Sequence, residues 1–259
     1  MRQSVRRADQ DEKVAQGERV SLDERHRRAF SIGWPSAGPE DKATTALEPG
    51  TWKRELKRRA ARLWVLKTLV TTGGIAIFFY AYFWVMRHPF STVTVMPVTW
   101  IDDLVSFLPQ SFLLYISLWV YVSLGSVFTK DARELAAWCA ASFAMIVVGL
   151  AIFLVLPTKI PDPAIDWSLY PSLQFLKTID ASGNACPSLH AAFAMFTAIV
   201  LHRQLTAVRA PRALLACNVL WCLGILYSTI ATRQHVALDV IAGSLLAGAA
   251  SIAYRPARS

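Results

Sequence analysis

Residues 134–156 read ELAAWCAASFAMIVVGLAIFLVL, an apolar run in which Glu134 carries the one charged side chain. An α-helix rises about 1.5 Å per residue and needs about 20 apolar residues to cross the hydrocarbon core of a bilayer. This run therefore predicts a transmembrane helix. Of the 259 residues, 54% are hydrophobic and 17% are charged, and the apolar residues fall in blocks. Such a composition is typical of a polytopic membrane protein.

Five further apolar stretches accompany that run, and together they predict an all-α fold, a bundle of six transmembrane helices. The predicted spans are 63–86, 110–129, 134–156, 187–204, 213–231 and 235–254. The fourth span is short and contains His190 near its start, so its prediction depends partly on the motif around that histidine. The semi-polar stretch 89–109 is a candidate for a re-entrant or interfacial segment around Trp100.

The N-terminal region differs in composition from the rest of the chain. Residues 1–62 hold 15 of the 27 Lys and Arg residues and 10 of the 18 Asp and Glu residues. A polar segment of this kind cannot bury enough apolar surface to offset its chain entropy. We expect residues 1–60 to form a disordered basic cytoplasmic tail ahead of a six-helix membrane domain over 61–256. Because acids are interspersed with the bases, nucleic acid is not an expected partner.

Basic residues next to the spans predict their orientation, since short cytoplasmic flanks are enriched in Lys and Arg. One set of flanks holds Lys53, Arg54, Lys57, Arg58, Arg59, Arg62, Lys130, Arg133, Arg203, Arg209, Arg212, Arg255 and Arg258. The opposite set holds Arg87, Lys159, Lys177 and Arg233. We therefore expect cytoplasmic termini and, in a bacterial inner membrane, a periplasmic face that carries the motifs described next.

The stretch from Thr232 to Asp239 places Arg233, His235 and Asp239 at the start of the sixth span. His235 and Asp239 are four residues apart, so their side chains share one face of a helix. An aspartate can hold the imidazole tautomer through one ring nitrogen and leave the other nitrogen to attack phosphorus, which would form a phosphohistidine. Arg233 can donate two hydrogen bonds to phosphate oxygens.

The sequence Cys186-Pro187-Ser188-Leu189-His190 opens the fourth span. Proline suits the first helical turn, and the start of a helix presents unpaired backbone N–H groups. The Ser188 hydroxyl and the neighbouring amides, including that of Leu189, are thus predicted to bind phosphate. A second histidine beside a nucleophilic one suits general acid–base work, and this role is predicted for His190.

Lys159 lies in the stretch Leu156–Asp162, just after the third span and at the same predicted membrane face. It is expected to add a second cation to the site. No metal is required by this arrangement, because two cations and a helix start already neutralise a phosphoryl charge. No cofactor is expected either.

These residues resemble the three motifs of the type-2 phosphatidic acid phosphatase superfamily, K-x6-R-P, P-S-x-H and S-R-x5-H-x3-D, over residues 134–254. The compact third motif, R-Q-H-x3-D, is most similar to the inositol phosphorylceramide synthase-like branch and related bacterial proteins. The resemblance implies that His235 is the nucleophile, Asp239 its orienting partner and His190 the acid–base, with Arg233 and Ser188 as phosphate ligands. Asn184, just before the second motif, is also similar to this branch.

The first motif departs from the family pattern. Asp162-Pro163 stands where relatives often carry Arg-Pro, and a carboxylate facing phosphate would be repulsive. Either Asp162 points away from the site, or Lys159 binds the phosphate alone with help from Lys177.

Three functions are consistent with these patterns. The first is a lipid phosphate phosphohydrolase, with phosphatidic acid, phosphatidylglycerol phosphate or a polyprenyl (di)phosphate as substrate. The second is a phosphotransferase that moves a phospholipid headgroup to a lipid alcohol such as a ceramide. The third is a lipid-binding or scaffold protein without activity. The partners expected in each case are membrane lipids.

Some other residues are interpreted as structural. Four acids are expected to be solvated in loops: Asp102, Asp103, Asp166 and Asp180. The sixth span has small-xxx-small spacing, which favours close helix packing, and its partner is expected to be the fifth span. The small residues are Gly243, Ser244, Ala247 and Gly248.

Overall fold

The computed structural model describes residues 51–179 and 184–254. This part of the chain is mostly helical, as the sequence predicts. Its elements are α1 (Thr51–Ala61), α2 (Trp64–Arg87), β1 (Thr94–Val95), α3 (Trp100–Leu104), α4 (Phe112–Ile116), α5 (Leu118–Val127), α6 (Ala132–Val155), β2 (Thr158–Lys159), α7 (Pro171–Ile179), α8 (Leu189–Ala207), α9 (Arg212–Ala231) and α10 (Ala237–Ala253), with 3₁₀ turns at Pro109–Ser111 and Trp167–Leu169. The strands β1 and β2 pair in parallel.

Every predicted span corresponds to helical structure, and four of the six are long and apolar enough to cross a membrane. These four are α2, the continuous stretch Pro109–Val127 that ends with α5, α6 and α9. The apolar helix α10 has 17 residues and is shorter than the others. Helix α8 has 19 residues but does not reach the same apolarity. Apolar helices thus indicate a membrane protein, and the six-span arrangement stays a prediction.

Helix α8 is the central helix of the described bundle and packs against α5, α6, α9 and α10. Its small residues Ala191, Ala192 and Ala194 are fully buried, and so is Thr197, while Gln204 is almost fully buried. A helix enclosed by other helices contacts protein rather than lipid, and close helix contacts favour small and hydrogen-bonding residues. This position explains why α8 is less apolar than the helices around it.

Helix α10 packs mainly against α8 rather than against α9, so the packing partner expected for its small residues was wrong. At Gly243 an added Cβ would overlap the carbonyl oxygen of Ser188, whereas the same atom at Gly248 would meet nothing within 4 Å. The spacing of small residues predicts a close helix contact but does not identify the partner helix, which depends on how the bundle is assembled.

The predicted tail over residues 1–50 lies outside the described residues, but 51–60 form α1, which corrects the predicted disorder of that segment. Glu55 accepts hydrogen bonds from Arg58 at 2.7 Å and from Arg59 at 2.9 Å. Side chains three or four residues apart face each other on a helix, and such ion pairs stabilise it. The bonds from Arg58, together with that from Arg59, lower the pKa of Glu55 to about 2. The carbonyl oxygen of Arg59 also accepts a bond from Lys67.

A buried polar cluster lies at the end of the bundle where α1 meets α2. Lys67 donates to the carbonyl oxygens of Val127 and Thr129, at 2.8 and 2.9 Å. Nearby, a carboxylate oxygen of Glu134 accepts from Gln204 at 3.3 Å and from the hydroxyl of Tyr254 at 3.1 Å. Gln204 is near the last turn of α8, whereas the histidine motif is at the first turn. Among the described residues, the basic flanks at α1, the start of α6 and the end of α8 therefore lie at the opposite end of the bundle from the motifs.

Candidate active site

The α9–α10 connection, residues 232–236, and the first turn of α10 bring His235 and Asp239 together. Nδ1 of His235 lies 3.4 Å from a carboxylate oxygen of Asp239, and the same oxygen accepts from the backbone N–H of Val236 at 3.1 Å. Asp239 is fully buried, and the His235 side chain is 12% exposed. Because a carboxylate accepts the proton on Nδ1, the nitrogen Nε2 is the one left open for attack. The predicted pairing is present.

Ser188 begins α8 as its N-cap. Its hydroxyl oxygen accepts from the N–H of Ala191 at 3.2 Å, which satisfies one of the unpaired donors of a helix start. Its own N–H donates to the carbonyl oxygen of Asp239 at 3.0 Å. Pro187 therefore precedes the cap instead of occupying the first turn, which corrects its predicted position. The second and third motifs are in direct contact.

Leu189 is the first residue of α8, and its side chain belongs to the core of the bundle. It packs against Gly149 of α6, where an added Cβ would lie 2.5 Å from a Leu189 methyl carbon. The side chain thus has a packing role. Any phosphate contact from Leu189 is limited to its backbone N–H, which points out of the helix start.

His190 is held by Tyr115 of α4, a partner that the sequence motifs did not indicate. Nε2 of His190 lies 3.0 Å from the carbonyl oxygen of Tyr115, and the two rings stack with centroids 4.0 Å apart at 7°. A carbonyl oxygen only accepts, so Nε2 carries the proton and Nδ1 is the nitrogen available for proton exchange.

Arg233 has a left-handed backbone, with φ of 54°. Its guanidinium contacts backbone carbonyl oxygens in α3 and just after it. Nη2 donates to the carbonyl oxygen of Val105 at 2.9 Å, and Nη1 lies 3.5 Å from that of Asp102. To donate two hydrogen bonds to phosphate as predicted, Arg233 would have to use its remaining N–H groups, since a guanidinium has five. The carbonyl oxygen of Arg233 accepts from Nζ of Lys177 at 3.0 Å, which places Lys177 beside the third motif.

Asp102 is buried, at 3% exposure, which corrects its predicted place among the solvated acids. One carboxylate oxygen accepts from the N–H of Ala237 at 2.7 Å. The other accepts from the N–H and the hydroxyl of Thr99, both at 2.8 Å. Asp103 and Asp166 are exposed as expected, and Asp180 lies outside the described residues. The contact with Ala237 spans 135 positions of the chain, so no local pattern could have predicted it.

Lys159 lies on β2 with an exposed side chain and lines a shallow cleft of about 430 Å³ together with Asp162, Trp167 and Lys177. Nζ of Lys177 also lies 5.4 Å from the centre of the Trp167 ring. Asp162 therefore shares the cleft with both lysines. Within the described residues, no hydrogen bond or ion pair joins Lys159 directly to His190 or His235.

Asn184 is buried beside the second motif. Its side-chain nitrogen lies 3.2 Å from the sulfur of Met86, and its backbone forms a parallel bridge with Thr158. The hydroxyl of Thr158 accepts from the N–H of Cys186 at 2.8 Å. Thr158, in the first motif, is thus paired with Asn184 and hydrogen-bonded to Cys186, which connects the first motif to the start of the second.

Comparison with known families identifies the region that holds all three motifs. The model of the PAP2 superfamily matches residues 135–258, so a PAP2 superfamily domain is detected over this part of the chain. Members of that superfamily are phosphatases or phosphotransferases that act on lipid phosphates. Comparison with curated proteins and with solved structures gave no match. The resemblance predicted for residues 134–254 is confirmed at the level of the superfamily, and the inositol phosphorylceramide synthase-like branch stays a prediction.

Proposed function

We propose that this protein is a lipid phosphate phosphohydrolase that works through a phosphohistidine intermediate on His235. The observation that supports this most directly is the contact of Nδ1 of His235 with Asp239. It occurs in a turn whose next helix is bonded to the start of α8, where His190 lies. Two histidines with different open nitrogens, Nε2 on His235 and Nδ1 on His190, suit one nucleophile and one acid–base.

The first chemical step is attack of Nε2 of His235 on the phosphorus atom. His190 enters this step as the imidazolium, with its Nε2 proton on the carbonyl oxygen of Tyr115 and a second proton on Nδ1. The bond between phosphorus and the lipid oxygen breaks, and the Nδ1 proton moves to that departing oxygen, which leaves His190 neutral. In the second step Nδ1 of His190 takes a proton from water, and the water oxygen displaces Nε2 from phosphorus. Inorganic phosphate leaves, and both histidines return to their starting states.

Charge on the phosphoryl group is proposed to be balanced by the start of α8 and by cations. The N–H groups of Leu189 and His190 point out of the helix start, where the helix dipole favours an anion. Arg233, and Lys177 beside its carbonyl oxygen, would supply positive charge, with Lys159 at the cleft. Since these groups can neutralise the transferred phosphoryl group, we propose a reaction without a metal.

The site is proposed to face away from the cytoplasm in a bacterial inner membrane, with α8 and α10 as the fourth and sixth spans. This rests on the basic flanks, which lie at the opposite end of the bundle from the motifs. The acyl chains of the substrate would remain in the outer leaflet while its phosphate enters the site from the side.

A phosphotransferase is the second candidate function, and the low exposure of the His235 side chain supports it. With 12% of that side chain exposed, water has limited access to the phosphorus atom. In this case a phospholipid headgroup phosphate would pass to His235 with diacylglycerol leaving, and a lipid alcohol would then take it from the phosphohistidine.

Purified protein in lipid nanodiscs, assayed on a panel of lipid phosphates with and without a lipid alcohol, tests both candidates. Phosphate release supports the hydrolase, and a new headgroup on the alcohol supports the transferase. His235→Ala should abolish either product. His202→Ala is the matched control, because His202 is exposed near the other end of α8. Full activity of His235→Ala, or no product from the wild-type protein with any lipid, would refute the proposal.

A further inference from the structure

The segment 99–108, which contains α3, is hydrogen-bonded to the α9–α10 connection and to the two helix residues that flank it. The N–H of Leu108 donates to the carbonyl oxygen of Ala231 at 2.9 Å, at the last residue of α9. The guanidinium of Arg233 donates to the carbonyl oxygen of Val105. The carboxylate of Asp102 accepts from the N–H of Ala237, at the first residue of α10. One segment therefore contacts the start, the middle and the end of the turn that carries His235.

The bond from Ala237 to Asp102 satisfies a backbone donor at a helix start. The first N–H groups of an α-helix have no partner within the helix, and a carboxylate there is also favoured by the helix dipole. Asp239 already accepts from Val236 through the oxygen that faces His235. The start of α10 is thus held by two carboxylates, one from its own first turn and one from α3.

These contacts determine what the carboxylate of Asp239 can offer to His235. Because Asp102 accepts from the N–H of Ala237, the Asp239 oxygen that contacts His235 accepts from one of these two backbone donors, Val236, and not from both. The other Asp102 oxygen is itself fixed by two bonds from Thr99. With 3% exposure, the Asp102 carboxylate is also largely removed from water, and buried hydrogen bonds to charged groups are stronger and more costly to lose than exposed ones.

The outer side of α3 differs in chemistry from the side that carries Asp102. Trp100 and Leu104 are 71% and 72% exposed, and an exposed tryptophan beside apolar residues is typical of a membrane–water interface. On the inner side, Ile101 and the adjoining Val105 pack against the buried cluster of Ala191, Ile230, Ala237 and Val240, and Asp102 is directed to the same side. Its burial results from its contacts with Thr99 and Ala237 together with this apolar packing on the inner side of α3.

We propose that Asp102 is a positioning residue for the phosphohistidine chemistry: its carboxylate holds the start of α10, and with it the His235–Asp239 pair, in register with the start of α8. This inference rests on the proposed function. Asp102 does not touch the reacting atoms in this scheme and acts through Ala237. Its carbonyl oxygen, beside Nη1 of Arg233, gives it a second contact with the same turn.

The test is Asp102→Asn, with Asp103→Asn as the matched control, because Asp103 is the exposed neighbour on the same helix. An amide has one acceptor oxygen for the three donors that Asp102 binds. We expect kcat per folded molecule to fall by about 100-fold, the scale of a displacement of about 1 Å at a reacting group, while KM stays close to wild type. The thermal unfolding midpoint should fall as well, because buried hydrogen bonds to a charged group are lost. Asp103→Asn should behave as the wild-type protein.

Hydrogen exchange of peptides that cover residues 232–240 supplies a readout that does not depend on activity. Asp102→Asn should speed exchange in this turn, whereas Asp103→Asn should not. Unchanged kcat and unchanged exchange in folded Asp102→Asn would overturn the inference, and so would a loss of activity that merely tracks loss of folded protein. If the wild-type protein turns over no lipid phosphate, the proposed function fails. Faster exchange in Asp102→Asn would then support the contact of Asp102 with α10 but no role in catalysis.

Discussion

The backbone N–H of Ser188 donates to the carbonyl oxygen of Asp239 at 3.0 Å. This bond joins the cap of α8, two residues before His190, to the first turn of α10, which contains the partner of His235. Four residues after Asp239, Gly243 lies against the carbonyl oxygen of Ser188. The relative position of the two histidines therefore depends on a close approach of two helix backbones.

Gly243→Ala should disrupt this approach, since the new methyl group would overlap the Ser188 carbonyl, which is backbone and cannot rotate away. We expect a destabilisation of about 1–3 kcal/mol, typical of overpacking, and a loss of phosphate release beyond the loss of folded protein. Gly248→Ala on the same helix meets open space and serves as the control. Thermal unfolding and activity per folded molecule are measured for both, and equal behaviour would contradict the contact.

Asp239→Asn should keep the fold but slow formation of the phosphoenzyme. An amide can present its NH₂ group to Nδ1 of His235 and favour the wrong tautomer, so the loss is expected to be on the order of 100-fold to 10,000-fold. Rapid-quench measurement of the phosphohistidine reports this step directly. Asp166→Asn, at an exposed acid, should leave the rate unchanged. A wild-type rate in Asp239→Asn would refute the orienting role.

His190→Ala should separate the two chemical steps. With a lipid phosphate analogue whose leaving group needs no proton, attack by His235 should still occur, but activation of water should fail because Nδ1 of His190 is missing. The phosphohistidine should then accumulate, whereas it should not in His202→Ala. Trapping of labelled phosphoenzyme checks this. Normal turnover of the analogue by His190→Ala would exclude the acid–base role.

Cysteine labelling tests whether α8 crosses the membrane. Gln174 on α7 and Ala207 at the end of α8 are both exposed and flank that helix. In a background without other reactive cysteines, an impermeant thiol reagent added to intact cells should label Gln174→Cys, while Ala207→Cys should react only after lysis. Labelling of both from the same side would contradict the six-span prediction and the orientation proposed for the site.

Features that depend on neighbouring residues in the chain could be predicted from the sequence. The apolar runs correspond to helices, and the four-residue spacing of His235 and Asp239 places their side chains in contact. The superfamily resemblance was also visible, because its second and third motifs are short and contiguous. The position of Pro187, one residue before the cap, was missed because helix starts are uncertain by one or two residues.

The amino-acid sequence by itself determined the helical segments, the paired histidine and aspartate of the third motif, and the superfamily of residues 135–258. Only the tertiary structure decided that Asp102 is buried against Ala237, that Tyr115 holds His190, and that α10 packs on α8. The physical reason is that helix formation and spacing on one helix face follow from local backbone geometry. Burial and hydrogen-bond partners, in contrast, depend on which distant segments the packed bundle brings together.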